Sequence, residues 1–287
     1  MQVTLKSHAL TVIADTHGGE LHSVKDNAGV EYIWQAAPEI WPRHAPVLFP
    51  MIGNTKDKKY LCDGKEYTMS DRHGFARDME FSLTENTGDS AVFTLKSSPD
   101  TLKYYPYDFA LDIRYTLENT AVKVLYTVKN TGSRPMYFYI GGHPAFNCPL
   151  TEGEAFEDYS IEFSSEETLR QTLPDGQVIT PCENSKGFAL SHALFDNDAI
   201  VHDAPASKTI ALKSRKTGKG VEMDLSEVKC ITIWSPLKPA NFVCLEPWTS
   251  VPIEFDSAYE KLEEKPHAIR LEAGQNFTFG YSIRVIQ

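Results

Sequence analysis

Two short stretches of the chain share one design. Tyr137-Phe-Tyr-Ile-Gly-Gly-His143-Pro144 and Asn241-Phe-Val-Cys-Leu-Glu246-Pro247-Trp248 each carry an apolar, strand-type run into one ionisable residue, and a proline follows at once. An apolar run of this kind predicts a buried strand. A proline cannot donate to a sheet ladder, so it predicts a strand end, and it holds the residue before it extended. His143 and Glu246 are therefore expected at strand ends, aimed off a sheet rim. An imidazole and a partly desolvated carboxylate so presented make a general acid and base pair. Each residue alone has a plainer reading, a carbonyl-bonded core histidine or a rim glutamate paired to arginine.

Other polar clusters could serve such a pair. Asp71-Arg72-His73-Gly74-Phe75-Ala76-Arg77-Asp78 packs donors around a glycine and an aromatic, a composition suited to binding hydroxyls and equally to a surface turn. Ala45-Pro-Val-Leu-Phe-Pro50-Met-Ile-Gly53-Asn54 is an apolar segment broken by prolines that ends in one amide, Asn54. Asp196 and Asp198 precede an apolar strand, where a loop cap is the plain alternative. Trp248, two residues past Glu246, offers an aromatic face on which a sugar ring can stack.

Several chemistries are not written in the chain. Motifs for a nucleophile elbow, a phosphate-binding loop, a dinucleotide fold or a zinc-protease helix do not occur. Cys148 lies five residues after His143, but Asn147-Cys148-Pro149 supplies no thiol activator. No metal ligand spacing and no cofactor motif is evident, so neither is expected. The five cysteines are scattered without a Cys-x-x-Cys, which fits a reducing cytoplasm better than a disulfide framework. A net charge of −11 disfavours nucleic acid and anionic membrane as partners, and no apolar stretch approaches a membrane span.

The elements that must position these residues read as strands. Phe109, Leu111, Ile113, Tyr115 and Leu117 alternate with polar residues, and Val122, Val124, Tyr126 and Val128 repeat the pattern after Glu118-Asn119-Thr120, which predicts a long hairpin. Phe277 through Val285 alternates likewise. Shorter strands are expected at 10–14, 30–34, 91–96, 159–163, 209–213 and 230–234. Helical period is scarce, with a turn or two at 257–264 the best candidate. Strands over all 287 residues, without a long linker, predict a single all-β domain, with long connections at 36–78 and 141–156.

Taken in order, these segments resemble the aldose 1-epimerase (mutarotase) family and, within it, the LacX-like branch, from end to end of the chain. The sharpest marks are His73-Gly74-Phe75-Ala76-Arg77, Gly142-His143-Pro144-Ala145-Phe146 and Leu245-Glu246-Pro247-Trp248, supported by Phe49-Pro-x-x-Gly53 and Leu194-Phe-x-x-Asp198-Ala. The resemblance implies a galactose-mutarotase-like β supersandwich that interconverts the α and β anomers of a free aldose without metal or nucleotide. It implies Glu246 as base, His143 as acid, the two on opposite sides of the sugar's O1–O5 edge, and His73 as a sugar-binding histidine. The family's substrate-binding aspartate falls at Asp196 or Asp198. After Gly53 many members carry arginine where this chain has Asn54, so Arg77 or Arg43 is the expected substitute. A hexose-6-phosphate mutarotase and a sugar sensor on the same scaffold are the rival readings; the oligomeric state is left open.

Overall fold

A computed structural model describes residues 1–173, 176–253 and 261–287. Strands dominate them, and the helical pieces are short 3-10 turns. The expected turn at 257–264 falls largely outside the described residues; its end, Leu262–Glu264, is one such turn.

The predicted hairpin forms the middle of a nine-stranded antiparallel sheet, as Phe109–Glu118 and Ala121–Asn130. Glu118 pairs with Ala121, leaving Asn119-Thr120 as a two-residue turn, and Asn119 takes the positive φ of 54° that such a turn needs. Asn276–Ile286 flanks one side of the hairpin and Ser90–Lys96 the other. The alternating residues from Phe109 to Leu117 and from Val122 to Val128 are all buried. Because side chains alternate with period two, a one-residue slip would expose this whole set, so burial fixes the register. Each such side chain contributes roughly 1.5–3 kcal/mol when fully buried.

A second, six-stranded sheet positions Glu246 and His143. Its centre is Phe242–Trp248, every residue of which is buried. Cys230–Trp234 pairs with one side of it, and Ile200–Asp203 extends that side. Gly141–Gly142 and Ala145–Asn147 pair with the other side as two pieces, with Val47–Leu48 beyond the first. The two sheets meet closely at Gly142. A Cβ there would lie 2.6 Å from the Tyr281 hydroxyl and 3.1 Å from that of Tyr126, both on the nine-stranded sheet. A three-stranded N-terminal sheet, Gln2–Lys6, Leu10–Asp15 and Glu20–Asp26, adds to the same continuous core.

Three sequence expectations are corrected. Residues 30–34 make only isolated bridges. The Glu31 carboxylate takes the N–H groups of Val24 and Ile33, and Asn147 donates to the carbonyls of Glu31 and Ile33, so side chains replace a ladder. The strand expected over 159–163 continues to Thr172, bulged against the polar strand Val178–Ala189. Most consequentially, Glu246 and His143 do not sit at a rim. The strand runs through Glu246 and Pro247 to Trp248, and His143-Pro144 interrupts the neighbouring strand between its two pieces. Proline inside a sheet is accommodated at such an irregularity.

The loop after Phe49 depends on one glycine. Gly74 has φ +81°, and a Cβ on it would fall 2.4 Å from the Phe49 carbonyl oxygen, which accepts the N–H groups of Phe75 and Ala76. Gly74→Ala is expected to destabilise the protein by at least about 2 kcal/mol in urea unfolding, combining left-handed strain with a backbone clash. A loss under about 0.5 kcal/mol would contradict this reading of the loop.

Candidate active site

His143 enters the site between two backbone anchors: its N–H donates to the Pro46 carbonyl at 3.0 Å, and the Leu245 N–H donates to the carbonyl of Pro144 at 3.2 Å. Glu246 stands on the adjacent strand. The imidazole Nε2 lies 3.1 Å from Glu246 Oε2, and both side chains are almost completely buried. The distance is that of contact, but the alignment is not that of a hydrogen bond: Oε2 has no hydrogen-bond partner, and neither does His143 Nδ1. We read the pair as adjacent and unlocked. Both line the same cavity.

Burial sets the protonation of both. It pushes the His143 imidazole far below its ordinary range, with the guanidinium of Arg77 adding to the effect. It also pushes the Glu246 carboxyl well above its own, against the pull of Arg72. Aromatic rings exclude water around the imidazole: Trp41 stacks on it at 5.0 Å between centroids, and Trp234 meets it edge-on at 5.7 Å.

His73 is held in the same space, its ring 5.8 Å from that of His143. Its backbone has φ 67°, unusual for a residue with a Cβ, and two bonds to Gly53 hold it there. The His73 N–H donates to the Gly53 carbonyl at 2.8 Å, and the Gly53 N–H donates to His73 Nδ1 at 2.9 Å. With Nδ1 accepting, the neutral ring carries its proton on Nε2. Burial, then the nearby His143 and Arg77, hold the pKa of His73 well below the usual imidazole value.

These groups line a cavity of about 370 Å³. Of the residues singled out from sequence, His73, Arg77, His143, Asp198, Glu246 and Trp248 belong to its wall. Asp196 does not; it is exposed just after the turn His192–Phe195, so the structure separates it from Asp198. Asn54 also lies outside the wall, and its neighbour Gly53 makes the contact to His73. Arg43, Asp71 and Arg72, also named from the sequence, line it too, and Trp41, Thr232 and Trp234 join the wall without the sequence having declared their place. Trp41 and Arg43 sit in a proline-broken connection, where only their types hinted at use. Thr232 is found by register alone, as the strand partner of Glu246.

Three arginines converge here, each facing an aspartate. Arg43 donates to Asp78 at 2.8 Å, Arg77 to Asp71 at 3.2 Å, and Arg72 stands 4.0 Å from Asp198. Arg77 is nearly buried, yet its Nε has no hydrogen-bond partner, and the same holds for Thr232 Oγ1 and Trp248 Nε1. Buried polar groups of this kind are costly unless a partner arrives. Cys148 is buried outside the wall, and burial pushes its thiol pKa up, so it is no nucleophile.

The profile of the aldose 1-epimerase family matches residues 1–284. The chain belongs to the aldose 1-epimerase family. It is 36% identical to the plasmid and chromosomal LacX proteins of Lactococcus lactis subsp. lactis, with all of each chain covered. Among solved structures it resembles a galactose mutarotase related enzyme from Lactobacillus acidophilus at 34% identity and TM-score 0.93, covering 100% of this chain and 98% of that one. A galactose mutarotase-like protein from Lactobacillus casei matches at 29% identity and TM-score 0.91 over the full length of both chains. The two large sheets of this aldose 1-epimerase family member are thus the galactose-mutarotase-like supersandwich.

The bond from Gly53 makes a testable statement about His73. In ¹⁵N-resolved NMR its ring should remain neutral, with the proton on Nε2, as pH falls from 7 through the ordinary imidazole pKa of about 6.5. Protonation of His73 at or above that value would contradict the geometry.

Proposed function

We propose that this chain is a mutarotase that interconverts the anomers of a free aldose, with Glu246 and His143 as its acid–base pair. The observation that carries this reading is the buried contact of 3.1 Å between them. Burial disfavours charge on either group, so around neutrality the pair holds one titratable proton between them. That inventory matches the reaction. One member takes the proton from the O1 hydroxyl while the other gives a proton to O5; the C1–O5 bond breaks and C1=O1 forms. The C1–C2 bond rotates, and the reverse transfers close the ring on the other face, with roles exchanged. The pair ends with the proton it began with, and no other reactant is consumed.

The remaining wall suits a polyol. His73 presents Nε2–H near the reacting edge, and Arg77 Nε, Thr232 Oγ1 and Trp248 Nε1 are buried donors for which sugar hydroxyls are acceptors. Trp41 and Trp234, both partly exposed, offer apolar faces. Arg77 and Arg43 supply guanidinium groups where Asn54 supplies none. The aspartate opposite each arginine supports a neutral sugar over a phosphorylated one. The gathering of three arginines is the observation that favours the second reading, a hexose-phosphate mutarotase. Five free, buried cysteines suit a reducing cytoplasm.

Anomer exchange measured by NMR over a panel of free aldoses, with glucose 6-phosphate alongside, tests the proposal. Exchange should survive exhaustive chelation, and kcat/KM should be higher for a free aldose. Glu246→Gln and His143→Asn should each lower kcat by about 10² or more while leaving sugar affinity within roughly tenfold. His73→Asn should raise KM as well. Near-normal turnover in Glu246→Gln would end the mechanism, and a clear preference for the phosphate would favour the second reading.

A further inference from the structure

Outside the cavity, one buried carboxylate has an unusual setting. Glu20 opens the strand Glu20–Asp26 and is buried. Its Oε1 accepts the N–H groups of His44 at 2.7 Å and Ala45 at 2.8 Å. Those bonds fix the carboxylate plane and leave Oε2 turned to His22, whose Nε2 is 3.7 Å away. Among the described residues no lysine or arginine pairs with it; His22 alone stands within ion-pair range. Burial pushes the Glu20 pKa up, but the His22 ring and the two N–H groups bring it below the ordinary carboxylate value, so Glu20 stands as a charged ligand.

Two imidazoles stand over it. His22, the unpaired residue of a bulge in that strand, brings its ring to the Glu20 carboxylate. His44 comes from the connection after Arg43, and the two rings stack at 4.0 Å with 16° between their planes. One donor atom from each of Glu20, His22 and His44 lies within 4.8 Å of the other two. The His22 side chain is 19% exposed, which gives solvent access to the cluster.

We propose that Glu20, His22 and His44 form a site for a divalent cation of the zinc type, separate from the reacting pair. Two imidazole nitrogens and one carboxylate oxygen are a donor set zinc accepts, with water free to fill a fourth position. Bonds near 2.0–2.1 Å to zinc place tetrahedral ligands roughly 3.3 Å apart. The His22 Nε2 to Glu20 Oε2 distance of 3.7 Å is already close to that spacing, and the stacked rings must turn to aim both imidazoles at one ion. The two backbone bonds to Glu20 Oε1 already orient that ligand, as outer contacts do in built metal sites. Nothing in the acid-base mechanism uses these residues.

Position gives the site a role. His44 directly follows Arg43, whose guanidinium lines the cavity, and the His44 carbonyl accepts the Ala145 N–H at 2.9 Å, two residues from His143. A cation bound here ties the N-terminal sheet to both segments and braces one wall of the cavity from behind. The expected signature is stabilisation of the fold, independent of sugar.

The test uses chelator-treated, desalted full-length protein. Thermal unfolding is followed with and without ZnCl₂, and stoichiometry is read by calorimetry. Zinc should raise Tm by several degrees with about one ion bound per chain, since a ligand held only by the folded state stabilises it. The shift should vanish in His22→Gln and in His44→Gln, and persist in His143→Asn. The last variant matters because His143, Cys244 and Glu246 also bring donor atoms within 4.8 Å of one another. The partial exposure of His22 makes His22→Gln the deciding variant if His44→Gln fails to fold. No shift at millimolar zinc, an undiminished shift in His22→Gln, or loss of the shift in His143→Asn alone would overturn the proposal.

Discussion

The structure turns on keeping a carboxylate and an imidazole in contact, out of water, inside a sheet. Neither group is stable there as a lone charge. The pair persists because two adjacent strands deliver it already assembled: Phe242–Trp248 brings Glu246, and the interrupted strand across from it brings His143. The surroundings follow from that demand. Trp41 and Trp234 cover the imidazole, Gly142 lets the second sheet close up beneath it, and the arginines of the wall are balanced by aspartates. Desolvation drives both groups toward neutrality, and the neutral pair is poised to pass protons without building a net charge.

The polar wall is arranged around vacant bonding capacity. His73 is committed on one side, where Gly53 fixes its ring, and open on the other. Arg77 spends its terminal nitrogen on Asp71, while its Nε has Asp78 at 3.9 Å but no hydrogen bond. Leaving buried donors without partners costs stability.

Much of the fold was legible because burial writes itself as a period. The hairpin from Phe109 to Asn130 could be read with its facing set and turn, and Cys230–Trp234 to the residue. Where side chains take over the backbone's bonds, as Glu31 and Asn147 do at 30–34, strand-like composition misled. Proline misled at Glu246, because a break in the neighbouring strand accommodates Pro247 where local rules end the strand. That His143, Glu246 and His73 would share one cavity was legible from type and neighbours. Thr232, Trp41 and Trp234 were not, since their place depends on strand pairing and loop path. The Glu20, His22 and His44 cluster was illegible for the same reason: Glu20 and His22 are neighbours in sequence, but His44 joins them only through the fold.

The most direct test of the central claim is the pH dependence of kcat/KM for anomer exchange, which reports the free enzyme. The pair is active while it holds one proton. It gains a second only below the depressed pKa of His143 and loses its proton only above the elevated pKa of Glu246. The profile should therefore run flat through pH 6.5, where an ordinary imidazole titrates, with an acid limb well below it and an alkaline limb well above the usual carboxylate range. An acid limb centred near 6.5, abolished in His143→Asn, would show an imidazole in ordinary solvation and contradict the buried one-proton pair.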